Sequence, residues 1–233
     1  MDLANLKKNQ SYIDIFCFFI LFIFSLSTFY FSYINQIDIS GGGSSTDIRT
    51  HYKYIKVLNT NLNNLFTFGS EFKLMNFPLH HIIFSRFDFL SDDLDKYLNV
   101  FVLISFFLPL LFYLNLKTLF PYIDNLKILF YTMLIISLPN FQASAIWGNN
   151  HITSLIFLLI SVLFLNLHKT ENPRTKTNIF FIFFFLSLAA YTRQYYVILF
   201  PFFILRVLES NKNNYLFILS SLFFLALPGI FYL

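Results

Sequence analysis

Long apolar blocks alternate with short polar breaks along most of this chain. A helix needs about 20 apolar residues to cross the hydrocarbon core of a bilayer. Runs near Ile13–Ile34, Leu98–Leu119, Leu126–Phe141, His151–Leu167, Asn178–Thr192, Tyr195–Leu208 and Tyr215–Leu233 predict about seven transmembrane helices. The expected fold class is therefore all-α, a polytopic membrane protein. The third and sixth runs are short, and "YTRQYY" also reads as the middle of one long bent helix.

One segment breaks this pattern. Asn35 to Tyr97 is a long loop that carries seven of the twelve acidic residues. It opens with "GGGSSTDIRTHYKYIKVL", in which Ile48, Tyr52, Ile55, Leu58 and Leu62 recur at helical spacing. Ser44, Ser45 or Thr46 suits the N-cap, and Asp47 suits the positive end of the helix dipole. Arg49, Lys53 and Lys56 fall off the stripe, so the helix is expected to lie on the membrane surface. A second stretch, "NFPLHHIIFSRFDFL", is too short to span and is interrupted by His80, His81, Arg86 and Asp88. Pro78 fits its first turn, and an interfacial helix is expected. "SDDLDKYL" then caps the second span with acid. No internal repeat or soluble domain is visible, so residues 1–233 read as a single transmembrane module with its loop at 35–97.

Composition strengthens the membrane reading. Hydrophobic residues make up 57% of the 233 and charged residues 12%, about half the share in soluble domains. The net charge of +4 mostly records Lys and Arg in short loops, and no basic run stands clear of apolar sequence, so no nucleic-acid partner is expected. The Phe count of 35 is read as lipid contact and base composition, not as a binding feature. The single cysteine, Cys17, lies in the first apolar run and reads as a packing residue. That run is too long for a signal peptide and no Ala-x-Ala site follows it. With Lys7 and Lys8 inside, the inner loops hold Lys117, Lys127, Lys169, Arg174, Lys176, Arg206 and Lys212. The N-terminus is thus expected in the cytoplasm and the long loop outside, in a bacterial inner membrane or the endoplasmic reticulum.

Few polar side chains fall near the outer face. Asp47 and His51 lie four apart, on one side of the proposed surface helix. A carboxylate there can serve as a general base toward a hydroxyl, and it also reads as an ordinary helix-start residue. The glycine hinge beside it suits a site that opens to substrate. Arg193 sits between two apolar runs, where an unpaired guanidinium is costly and its fork of donors fits phosphate oxygens. It also reads as a residue reaching to lipid headgroups. His80 and His81 can hydrogen-bond a phosphate or sugar, although neighbours on a helix point different ways. His51, His80, Asp47 and Glu71 have no spacing that reads as a metal motif, so no metal site is expected. Asn149, Asn150 and His151 follow Trp147 in a short outer turn; they line the same cavity or simply end a span. No glycine-rich nucleotide loop is present.

The layout resembles the lipid-dependent membrane glycosyltransferases of the GT-C superfamily. Asp47 stands where these proteins carry an acid in the first extracytoplasmic loop, ahead of two membrane-parallel helices. "NFPLHHII" is similar to the "HPPL-Y" element of the protein O-mannosyltransferase and aminoarabinose transferase relatives, with Asn76 and Phe77 departing. "DIRTHYKYI" resembles the Asp-x-x-x-His segment of the dolichyl-phosphate-glucose alpha-1,2-glucosyltransferases. "YTRQYY" resembles their Arg-Gln-Thr-Asn element at Arg193 and Gln194 but not at Tyr195 and Tyr196. Ile48 replaces the second acid often found there. The variable spans that usually come after the shared module are absent, and "LALPGIFYL" stops inside an apolar run, as a truncated fragment would.

The resemblance implies a hexosyltransferase. It would move a sugar from a polyprenyl-phosphate donor, with inversion, to an extracytoplasmic or lumenal hydroxyl on a glycan, lipid or protein. Asp47 would be the base; His51, His80, His81, Arg193 and Gln194 would bind substrate. No cofactor is expected beyond that lipid-linked donor in the bilayer, and a divalent metal is the lesser alternative. Two other readings stay open: a transporter or flippase for lipid-linked sugars, or a non-catalytic membrane assembly partner.

Overall fold

The computed structural model describes residues 3–37, 43–60, 62, 78–170, 175–210 and 215–232. They are helical, with no strand among the described residues. Helix α1 (Leu3–Ser25) continues through a π-helical turn at Leu26–Tyr30 into α2 (Phe31–Ile34). Helix α3 (Gly43–Thr60) and the short α4 (Leu79–Ser85) and α5 (Asp88–Ser91) come next. Then come α6 (Leu94–Ser105), α7 (Phe107–Leu119), α8 (Asn125–Ile136), α9 (Pro139–Ile146) and α10 (Asn150–Thr170). The chain ends with α11 (Thr175–Thr192), a 3-10 helix at Gln194–Leu199, α12 (Phe200–Ser210) and α13 (Tyr215–Tyr232).

Among the described residues, three stretches are long and apolar enough to cross a membrane: Tyr12–Ile34, Leu94–Leu119 and Asn150–Leu167. A fourth is added if α8 and α9, bent by 67° at their junction, count as one broken span. Lys176–Thr192 and Tyr215–Pro228 are shorter apolar helices. Phe16, Phe19 and Phe22 turn outward from α1, and Phe223 and Phe224 from α13. Outward-facing apolar surface of this kind fits an integral membrane protein.

Local chemistry explains the breaks. The expected continuous run Leu126–Phe141 ends at Ile136 because Pro139 excludes the helical conformation at the residue before it. Leu138 is extended, with φ −62° and ψ 134°, and Pro139 starts α9. The break after α11 falls on Arg193 itself, extended at φ −143° and ψ 105°. Residues Gln194–Leu199 then form a 3-10 turn rather than the regular span expected from Tyr195. Pro78 sits just ahead of α4, at its N-cap, instead of in the first turn. Asp93 caps α6 by accepting from the backbone N–H of Asp95 at 2.9 Å and of Lys96 at 3.4 Å, as the acidic run before that span predicts.

Four of the five stripe positions are buried as their spacing predicts, but their cover is protein; Leu62, beyond the end of α3, is exposed. Ile48, Tyr52 and Ile55 join one core with Phe84, Leu90, Tyr97 and Phe101, and Leu58 is buried beside them on the stripe, while Arg49, Lys53 and Lys56 are exposed. Tyr52 Oη donates to the Ser91 carbonyl at 2.8 Å. Asn59 Nδ2 donates to the Ser85 carbonyl at 3.0 Å and to Asp88 Oδ1 at 2.9 Å. Arg86 Nη2 donates to the Leu58 carbonyl at 2.6 Å, a cation at the negative end of α3. The polar residues that interrupt the second loop stretch thus clamp it to the first. Between spans, Asn115 Nδ2 donates to the Leu159 carbonyl at 2.9 Å and Ser161 Oγ to the Ile182 carbonyl at 2.7 Å, giving buried polar atoms partners across helices.

Candidate functional site

The α3–α4–α5 layer sits over the start of α6 and α10, and four histidines gather beneath it. His51 comes from α3, His80 and His81 from α4, and His151 from the first turn of α10. The His51 and His81 rings stack with centroids 5.0 Å apart, and the His80 and His81 rings meet edge to face at 5.3 Å. One nitrogen pair, His51 Nδ1 and His81 Nε2, is 2.8 Å apart.

His80 is 1% exposed and both its ring nitrogens are occupied. Tyr97 Oη spends its proton on the Gly148 carbonyl, at 2.7 Å. His80 Nε2, 3.0 Å from the same oxygen, must therefore donate to it. That leaves Nδ1 to accept from Thr153 Oγ1 at 2.9 Å. Burial drives the pKa of His80 well below 6.5, and His81, His51 and Arg193 add to the effect. Gly148 has φ +61°, and a Cβ there would meet Tyr97 Cε1 at 2.7 Å. Glycine therefore serves both the turn and the close approach of the tyrosine ring. His80 ties α4, α6 and the turn before α10 into one knot.

His81 is 4% exposed, and its Nδ1 is buried without a partner. Its pKa is pushed down to about 3, by burial first and then by His51 and Arg193. His51 is half-buried and its pKa is lowered by burial and by Arg193, with Asp47 opposing. Arg193 is therefore near enough to act electrostatically on the whole histidine set, and Asp47 on His51.

A cavity of about 660 Å³ opens beside this set. Asp47, Ser144, Asn149, His151, Tyr195 and Tyr196 are among the residues lining it. Such a volume is in the ordinary range for a small-molecule site. Asp47 is exposed, one turn ahead of His51. Arg193 stands behind this wall, with Nη2 donating to His151 Nε2 and Nε buried without a partner. The Oδ1 atoms of Asn149 and Asn150 and Trp147 Nε1 are likewise buried and unpartnered. Polar atoms left this way are costly, and here they cluster in the turn bordering the cavity.

Of the residues singled out in the sequence, Asp47 reaches the cavity directly and Arg193 reaches it through His151. His51 lies beside Asp47 on the same helix face, whereas His80 and His81 are enclosed in protein. Gln194 is exposed at the start of the 3-10 helix. Glu71, Gly41, Gly42, Asn76 and Phe77 lie outside the described residues, as do the side chains of Ser44, Ser45 and Thr46. Among the described residues no group of three or more His, Cys, Asp or Glu is arranged to hold a metal ion. Sequence reasoning missed Tyr97, Thr153 and Gly148, because no spacing signals a partner across spans. It marked His151 only as a span end or a cavity residue. Comparison of the chain with protein-family models, with curated proteins and with solved structures finds no match.

Proposed function

We propose that this chain is a membrane glycosyltransferase of GT-C type, with about seven spans, a cytoplasmic N-terminus and its site at the outer interface. The donor is a polyprenyl-phosphate sugar and the acceptor a hydroxyl. The observation that carries the reading is convergence. Asp47 on α3 and the Arg193–His151 pair, far apart along the chain, border one cavity between the loop layer and the ends of α10 and α11. A lipid-linked donor keeps its tail in the bilayer, so a site at the helix ends is where its headgroup would arrive.

The groups present set the chemistry. The Asp47 carboxylate takes the proton of the acceptor hydroxyl as its oxygen attacks the anomeric carbon. The bond from that carbon to the phosphate oxygen breaks, and the electron pair leaves with the polyprenyl phosphate. The charge gathering there is met at the cavity wall by the Arg193–His151 pair. Tyr195 and Tyr196 give the cavity an aromatic wall of the kind that packs against the C–H face of a sugar. The α3–α4–α5 layer holds acceptor and donor in register. His80 and His81 buttress that layer.

The test is transfer by the full chain in nanodiscs, with polyprenyl-phosphate glucose and mannose as donors. Asp47→Asn keeps the shape of the side chain and removes the base. It is expected to lower turnover by roughly two to four orders of magnitude. Turnover near that of the unmodified protein would remove Asp47 from the mechanism.

A further inference from the structure

The hydrogen bond between Arg193 and His151 fixes more than position. A guanidinium has only donors and stays protonated, so His151 Nε2 must accept from Arg193 Nη2. The imidazole proton therefore resides on Nδ1. Nδ1 makes no hydrogen bond among the described residues, and His151 lines the cavity. A ring whose far nitrogen is bound to a cation is also a stronger donor at its near one.

Two further features bear on what this donor would meet. His151 lies in the first turn of α10, a helix of 21 residues, so the positive end of the helix dipole borders the cavity. Asn149, 5% exposed on the same wall, has its Oδ1 buried with no partner. The wall thus offers one polarised N–H suited to an anionic oxygen. A phosphate ester carries such an oxygen.

We propose that His151, held as its Nδ1–H form by Arg193, is the group that donates to the phosphate oxygen of a ligand in this cavity. Arg193 is then a positioning residue behind it. The inference rests on the transferase reading for the sugar, but its phosphate contact is measured without sugar or acceptor. Failure of the Asp47 test therefore leaves this result standing, and the converse also holds.

The experiment uses the full chain in phosphatidylcholine nanodiscs, with farnesyl phosphate as probe and farnesol as the phosphate-free control. The amide nitrogen of an asparagine falls near the Nδ1 of a histidine, and that of a glutamine near Nε2. His151→Asn is expected to keep most of the phosphate-dependent affinity. His151→Gln and His151→Ala are expected to lose roughly ten- to a hundredfold, the value of one hydrogen bond to a charged group. Arg193→Lys, which still donates to Nε2, is expected to retain more affinity than Arg193→Ala. Nitrogen NMR of histidine-labelled protein reads the tautomer without any variant, and a protonated Nδ1 with a bare Nε2 is expected. Displacement of the probe by inorganic phosphate would identify free phosphate as a source of the ligand. Resistance to it would identify a lipid-borne one. Binding of farnesol as tight as that of farnesyl phosphate, retention by Gln with loss by Asn, or a protonated Nε2 would each overturn the proposal.

Discussion

Histidines 80 and 81 are neighbours with separate tasks, and the difference lies in where their nitrogens are spent. His80 has a partner on each nitrogen, whereas His81 has one on Nε2 and none on Nδ1. The sequence shows two adjacent imidazoles and nothing of this, because the partners come from α3, α6 and α10. The difference carries a pH dependence. His81 in the folded protein has its pKa lowered from 6.5 to about 3, by burial and by the positive charge His51 and Arg193 would set against it. The unfolded chain takes up this proton below about pH 6.5 and the folded chain does not. The stabilisation is fully present above that pH and is lost as pH falls toward 3. At about pH 4 the loss from His81 alone is on the order of 3 kcal/mol. Thermal midpoints in detergent should therefore fall steeply between pH 7 and pH 4, and His81→Phe should flatten that slope. An unchanged slope in the variant would place the proton elsewhere.

Helix α3 shows how far periodicity reads and where it stops. The spacing of Ile48, Tyr52, Ile55 and Leu58 identified the buried face, because one face of a helix repeats every three to four residues whatever covers it. The cover itself was not legible: a stripe seated on lipid and a stripe seated on α4, α5 and α6 have the same pattern. Break points read better. Proline before α9 and the Asp93 cap of α6 act through the backbone within a few residues. Arg193 carries no comparable local signal, so the sequence alone fits a turn there as well as a bend. If protein covers the stripe, Ile55→Ala opens a cavity and costs roughly 2–5 kcal/mol. Arg49→Ala, on the exposed face, should change stability by no more than about 0.5 kcal/mol. Chemical denaturation of the two variants checks this. Equal and small effects would mean that the helix is held at its interface with the bilayer instead.

At the scale of the molecule, chain direction separates two polar centres. Tyr97 at the start of α6 bonds the turn before α10, while Thr118 at the end of α7 meets Asn166 far down α10, so these spans run side by side. The cavity therefore lies at one end of the bundle. At the other end Asp14 of α1 meets Lys117 of α7, whose Nζ is 2.5 and 2.6 Å from the two carboxylate oxygens. Asn125 Nδ2 of α8 donates to the same group at 3.0 Å, and Tyr113 Oη at 3.2 Å. Asp14 is thereby the joint of three helices, α1, α7 and α8. Hydropathy can announce that a charge sits in an apolar run but not which other run answers it. Both side chains are about a quarter exposed, so the pair should contribute less than a dry one. Removing one partner strands the other in an apolar span, whereas removing both does not. Lys117→Met alone is expected to cost about 1–3 kcal/mol. Adding Asp14→Asn to it should restore much of that loss, since an asparagine still accepts from Asn125 and Tyr113. The measurement is the thermal midpoint of each single variant and of the double variant in the same detergent. If the double variant loses the sum of the two singles, the two residues act independently and the joint is not an ion pair. Because the cavity lies at the far end, ligand binding there should survive in any of these variants that remains folded.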